Sequence, residues 1–239
     1  MSDNRLQKYI DRPLIPPGRL KRQCILISDS KGNYLKSHSD LIDQFGYFID
    51  FQCRPGARFA DYFCWLNLNL HKKVRQYGNI VLYVWLGTCD LTCRKGRFVE
   101  LRHTDDISAV LYLKNQINRY LKFVASFSSV KLVFLEIPPY SIVEWNKSKG
   151  HRNPGSFQSQ DLILYERICH VNDYIQEVNE TKTVNSPRFH LDLMKYRKRK
   201  GHSIKSINYS PYKDGIHPKL TLARCWMKRI VSLVFKDCL

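Results

Sequence analysis

The sequence predicts an α/β protein, a three-layer α/β/α sandwich with a central, mainly parallel five-stranded sheet. Two observations predict it. Short apolar runs alternate with longer segments of helical periodicity, and strands joined by helix-length crossovers pair in parallel with right-handed connections. The most polar Gly-, Ser- and Asp-bearing segments also fall where the apolar runs stop, at the carboxyl edge where such sheets take their ligands.

Residues 1–22 carry Pro13, Pro16, Pro17 and Gly18 among basic residues and read as an N-terminal arm leading into a single domain, 23–239. Cys24-Ile25-Leu26-Ile27 is a buried strand entering the polar turn Ser28-Asp29-Ser30-Lys31-Gly32. Tyr47 to Cys53 gives a second strand, and Phe59, Tyr62, Phe63, Leu66, Leu70 and Val74 recur at helical spacing. Ile80 to Leu86 is the third strand and stops at Gly87-Thr88-Cys89-Asp90. A long amphipathic helix follows, marked by Ile107, Val110, Leu113, Ile117, Leu121 and Val124. Val130 to Ile137 is the fourth strand, closed by Pro138-Pro139. Trp145 to Gln160 is polar and contains Gly and Pro, so it reads as a loop or lid, with Tyr140 to Gln160 lining the entrance to the site. Leu164, Ile168, Val171, Ile175 and Val178 mark another helix, Phe189-His190-Leu191 a fifth strand, and Ala223 to Val234 a terminal helix.

Composition narrows the partners. Of 239 residues 44% are hydrophobic, enough for a sizeable core, and 39 Lys and Arg against 21 Asp and Glu leave a net charge of +18. This excludes an acidic disordered chain and favours a polyanionic partner, nucleic acid first and an anionic membrane surface second. The cations cluster: Lys195, Arg197, Lys198, Arg199, Lys200 and Lys205 form a candidate nucleic-acid-binding set, with Tyr196 and Tyr209 available to stack on bases. A second cluster, Arg5, Lys8, Arg12, Arg19, Lys21 and Arg22, lies in the arm. A solvated loop or a localisation signal is the alternative reading of such runs. No apolar run approaches the roughly 20 residues of a membrane span. The polar start Met1-Ser2-Asp3-Asn4-Arg5 has no secretory h-region, and eight cysteines without one read as reduced thiols, so an intracellular, cytoplasmic or nuclear location is expected. Cys89 and Cys93, or Cys169 beside His170, lack the spacing of a zinc site, so neither metal nor cofactor is expected, and Cys24, Cys64 and Cys225 read as small core residues.

Four segments carry the chemistry: Ser28-Asp29-Ser30-Lys31-Gly32, Pro55-Gly56-Ala57-Arg58, Gly87-Thr88-Cys89-Asp90 and Asp214-Gly215-Ile216-His217-Pro218. A hydroxyl, an imidazole and a carboxylate are the parts of an activated-serine hydrolase, and Asp and His three positions apart on one turn can reach the same point. Singly, each has a plain structural reading: Ser30 as a helix cap, Asp214-Gly215 as an ordinary turn, His217-Pro218 as a helix start. Together, at successive strand ends and before the last helix, they resemble the SGNH (GDSL-type) hydrolases from about Cys24 to the last helix. Leu135-Glu136-Ile137-Pro138-Pro139 is similar to that family's fourth-strand end.

The resemblance implies an SGNH hydrolase-like, flavodoxin-like sandwich acting on an ester or acetylated substrate. Ser30 would be the nucleophile, His217 the general base and Asp214 its orienter, with Ser30 and Gly56 supplying N–H groups to the oxyanion. Two positions depart from the family: Ser28 replaces a glycine, and Cys89 replaces the asparagine whose amide is an oxyanion donor. A thiol donates weakly, and losing one such donor costs about 10²–10³ in rate. Cys89 also has a second reading, as a reactive thiol near His217. The alternative function is a catalytically impaired SGNH-fold module that binds nucleic acid through its basic clusters. The first two blocks and the basic surface are similar to SGNH-like domains encoded by retrotransposons or viruses.

Overall fold

The computed structural model describes residues 3–16, 18–103, 105–199 and 202–239. In chain order the elements are α1 (Asp3–Ile10), β1 (Gln23–Ser28), α2 (Ser30–Lys36), α3 (Asp40–Asp43), β2 (Ile49–Cys53) and α4 (Phe59–Tyr77). Then come β3 (Ile80–Trp85), α5 (Thr88–Leu91), β4 (Thr92–Lys95), β5 (Phe98–Leu101), α6 (Asp106–Val124) and β6 (Val130–Phe134). The chain ends with α7 (Ile142–Ser148), α8 (Gln158–Thr181), α9 (His190–Leu193), β7 (Met194–Arg199), β8 (His202–Ile207) and α10 (Leu220–Asp237).

The central sheet has four parallel strands in the order β2-β1-β3-β6. Its central strands β1 and β3 are buried on both faces, and strand alternation sorts the sheet's side chains into two layers. Ile25, Ile27, Leu82, Val84 and Phe134 face α4, α6 and α8, whereas Cys24, Leu26, Tyr83, Trp85 and Val133 face α10, α2 and α3. This is the expected three-layer α/β sandwich with one strand fewer. The strand expected at Phe189-His190-Leu191 is a helical turn, α9: Phe189 packs on Trp85 and Trp226, and the His190 N–H donates to Glu136 Oε1 at 2.8 Å. Three residues are too few for periodicity to tell a strand from a turn of helix.

The segment expected as a loop or lid, Trp145 to Gln160, is largely helical. Ser141 caps α7 by accepting the Glu144 N–H at 3.0 Å, and half-buried Asp161 accepts the N–H groups of Ile142 and Val143. Pro154 then opens a 3₁₀ turn leading directly into α8. Two antiparallel strand pairs, β4–β5 and β7–β8, lie outside the central sheet, and buried Val99 of β5 packs in the core beside Asn146 of α7. Cys64, expected in the core, is exposed. Among the described residues no helix is long and apolar enough to cross a membrane.

Part of the N-terminal segment is helical. Leu6 of α1, 2% exposed, enters the core layer of α10, and the Lys228 ammonium donates to the carbonyls of Tyr9, Ile10 and Arg12 where α1 ends. Leu6→Ala is therefore expected to cost about 2–5 kcal/mol in urea unfolding, where a detached arm would show no change.

Candidate active site

Strand β1 delivers its last residue, Ser28, to a turn in which Asp29 caps α2 and accepts the Lys31 N–H at 2.9 Å. Ser30 thus opens α2 at the carboxyl edge of the sheet. Its Oγ lies 2.9 Å from His217 Nε2, and His217 Nδ1 lies 2.8 Å from Asp214 Oδ2. The second carboxylate oxygen of Asp214 accepts the N–H groups of Ile216 at 3.1 Å and His217 at 2.8 Å, so one turn fixes both partners. Burial works to raise the Asp214 carboxyl, but the hydrogen bonds from His217 and Ile216 outweigh it and hold the group below the usual carboxylate range. Gly215 is required here: its φ is +87°, and a Cβ would lie 2.7 Å from Glu144 Cβ and 2.9 Å from Ser141 O. The imidazole is walled by Tyr34, stacked at 5.1 Å, and by Trp145 at 5.6 Å.

The second block stands beside the first because Arg54 N–H donates to Ser28 O at 3.0 Å, continuing the β1–β2 ladder. Ala57 N–H then closes a turn on Arg54 O, with Gly56 at φ +76° in its third position, the geometry of a type II turn. Among the described residues, neither the Ser30 nor the Gly56 backbone N–H donates a hydrogen bond. The third block is held at several points. Asp90 accepts the Phe59 N–H with both oxygens, at 3.3 and 3.2 Å, and Arg102 donates twice to the Cys89 carbonyl, at 3.2 and 3.0 Å. Burial, reinforced by the Asp29 charge, pushes the Cys89 thiol up to about 12, so the sulfur is a neutral S–H at physiological pH. A thiol raised in this way lends no support to the reading of Cys89 as a reactive thiol, since the thiolate is the nucleophile.

Lys31 is the residue that sequence reasoning missed. It is 3% exposed, lies 2.5 Å from the 1%-exposed Asp29 carboxylate, and donates to Thr88 Oγ1. The ammonium also lies 5.5 Å from the Trp85 ring centroid. It therefore ties the block that carries Ser30 to the block that carries Cys89. The only hint in the sequence is the carboxylate two positions before it. Ser28, the other departure, is accommodated by Gly32: a Cβ at that position would overlap Cys53 Sγ and lie 2.8 Å from Ser28 Cβ.

The basic cluster does not form a plain loop. Lys195 lies on β7 and Lys205 on β8. The side chains of Arg197, Lys198 and Arg199, and all of Lys200, lie outside the described residues.

The fold is of a known class: the chain has the SGNH hydrolase-like fold, a parallel four-stranded sheet flanked by helices, with the Ser30 and Cys89 blocks at its carboxyl edge. Comparison with solved structures supplies the particulars. The chain is similar to a lipase/acylhydrolase from Enterococcus faecalis, with a TM-score of 0.57 and 13% identity over 91% of this chain and 97% of that one. It is also similar to an acetyl xylan esterase from Geobacillus stearothermophilus, with a TM-score of 0.53 and 11% identity over 92% of this chain and 96% of that one. At such identities the likeness is one of fold. No family model matches the sequence, and no curated protein matches it.

Two stability measurements check the electrostatics of this edge. Lys31→Met leaves the Asp29 carboxylate buried and unpaired, and is expected to cost about 3–5 kcal/mol; the double variant Asp29→Asn/Lys31→Met recovers most of it. Asp90 is pushed up by burial, against the Phe59 N–H, from 3.8 to about 7. Between those values the folded chain holds a proton that the unfolded chain releases, so this group's contribution to stability falls as pH rises through the window. The urea midpoint of Asp90→Asn should therefore fall less than that of the wild type over that range.

Proposed function

We propose that this chain is a serine ester hydrolase acting on an ester or acetylated substrate. The observation that carries the reading is the continuous hydrogen-bond chain from Ser30 Oγ through His217 to Asp214 at the carboxyl edge of the sheet. Ser30 Oγ attacks the acyl carbonyl while His217 Nε2 takes its proton. Asp214 fixes the imidazole tautomer and stabilises the imidazolium. The N–H groups of Ser30 and Gly56 serve the oxyanion of the tetrahedral intermediate. His217 then returns the proton to the leaving alcohol, and water releases the acyl group from Ser30 by the same steps in reverse. Cys89 contributes only a weak S–H at the third donor position, so the reaction is slow for an enzyme of this kind.

The neutral thiol at Cys89 is also what favours the second reading, an impaired SGNH-fold module whose remaining work is binding nucleic acid. Labelling with a fluorophosphonate separates the two. Wild type should label at Ser30, Ser30→Ala should not, and Cys89→Asn should label faster, by up to about 10²–10³-fold if the full amide donor is regained. Labelling of Cys89→Asn alone would select the second reading, and silence from both would remove the hydrolase reading altogether.

A further inference from the structure

Beside the Asp214–His217 turn lies a groove of about 600 Å³, lined by Lys147 and Glu144 of α7 and by Lys213 and Lys219. Its floor includes Asp214 and Gly215 themselves. Lys213 and Lys219 bracket the turn through the backbone: Lys213 N–H donates to His217 O at 2.7 Å, and Lys219 N–H donates to Pro211 O at 2.9 Å. Among the described residues, the groove's one cation with a carboxylate partner is Lys147, a loose 3.9 Å pair with Glu144. The groove runs through Ile207, Asn208 and Tyr209 into the β7–β8 ribbon. There Tyr196, 51% exposed, stands directly opposite the exposed Lys205, one residue from Lys195.

We propose that this groove and ribbon form a docking surface for single-stranded nucleic acid, whose backbone follows the lysines past the Asp214–His217 turn. Exposed ammonium groups, two of the three in the groove without a carboxylate partner among the described residues, meet phosphates and release counterions. An exposed aromatic ring beside a lysine offers a stacking platform that single strands reach with their unstacked bases and a duplex does not. Solubility needs neither three lysines gathered on one groove nor an exposed tyrosine on the ribbon beside it. The proposal is independent of the hydrolase reading, because nothing in it requires Ser30.

Fluorescence anisotropy with a labelled 20-nucleotide oligo-dT or oligo-U, over a series of NaCl concentrations, tests it. Four lysine–phosphate contacts, from Lys147, Lys213, Lys219 and Lys205, at about 0.7 each give a slope of log affinity against log salt near −2.8. Lys147→Glu/Lys213→Glu/Lys219→Glu should weaken binding at least tenfold and reduce that slope by about 2. Tyr196→Ala should weaken it by about fivefold or more. The control Lys72→Glu/Arg75→Glu/Lys122→Glu makes the same charge change on α4 and α6, outside the groove, and should stay within about threefold of wild type. Ser30→Ala should bind as wild type does, which keeps this result apart from the labelling experiment. Equal losses in both triple variants, unchanged binding by Tyr196→Ala, equal affinity for duplex of the same length, or binding to vesicles of phosphatidylserine but not to oligonucleotide would each overturn it.

Discussion

Burying the Lys31 ammonium at the carboxyl edge of the sheet carries a desolvation cost of several kcal/mol, and the turns around it are arranged to offset that cost. Asp29 supplies the counter-charge from the turn that sets Ser30, and Thr88 supplies a hydroxyl from the turn that sets Cys89. Neither turn can shift by an ångström without breaking a contact of a fully enclosed charge. The blocks are thereby locked to one another through a point beneath them. Above that point the Ser30 hydroxyl is free to face His217. The second block joins the same lattice through Asp90, whose carboxyl receives the first N–H of α4. The rigidity of the site comes from these three cross-ties more than from the sheet, which fixes only where the turns begin.

The four blocks are legible in the sequence because each sits where an apolar run stops, and a parallel sheet brings such stops to one edge. What escapes the sequence depends on partners distant along the chain. The start of α7 is fixed by Asp161, which lies 20 positions beyond Ser141, so the polar residues between them read as a loop. The α9 turn is held by Glu136, 54 positions before His190, and by Asp192 pairing with Arg229 of α10. Lysines are seldom buried unless paired, so Lys31 reads as a surface residue until Thr88, 57 positions away, is brought beneath it. In β7 the successive cations hide the alternation that would mark a strand. In α1 only Leu6 is fully buried, with Tyr9 and Ile10 half-buried beside it, too sparse a signal to separate a packed helix from a basic arm.

Two kinds of departure from the family pattern meet at this edge, and they differ in consequence. Ser28 adds a side chain where the family has none, and its Oγ is buried without a partner. The space it takes is returned at Gly32, so the turn keeps its shape and the cost falls on stability. Cys89 keeps the backbone in place, pinned by Arg102 at its carbonyl, and changes only the donor. In the hydrolase reading its cost falls on chemistry. Lys31 cannot make up the difference, because its charge is spent on Asp29 within the same buried pair.

In the hydrolase reading, this separation decides what the basic groove can do for the site. Contacts between lysines and a phosphate backbone are made equally before and during bond-breaking, so they lower KM without raising kcat. They bring an ester carried on or beside a polyanion to the Asp214–His217 turn, and they leave the barrier at Ser30 where two backbone donors set it. A missing oxyanion donor is worth about 2.7–4 kcal/mol of that barrier, and no strength of docking outside the transition state returns it. Slow chemistry and a strongly cationic approach are therefore compatible features of one surface. The first is set by the sulfur of Cys89, the second by lysines on either side of the catalytic turn.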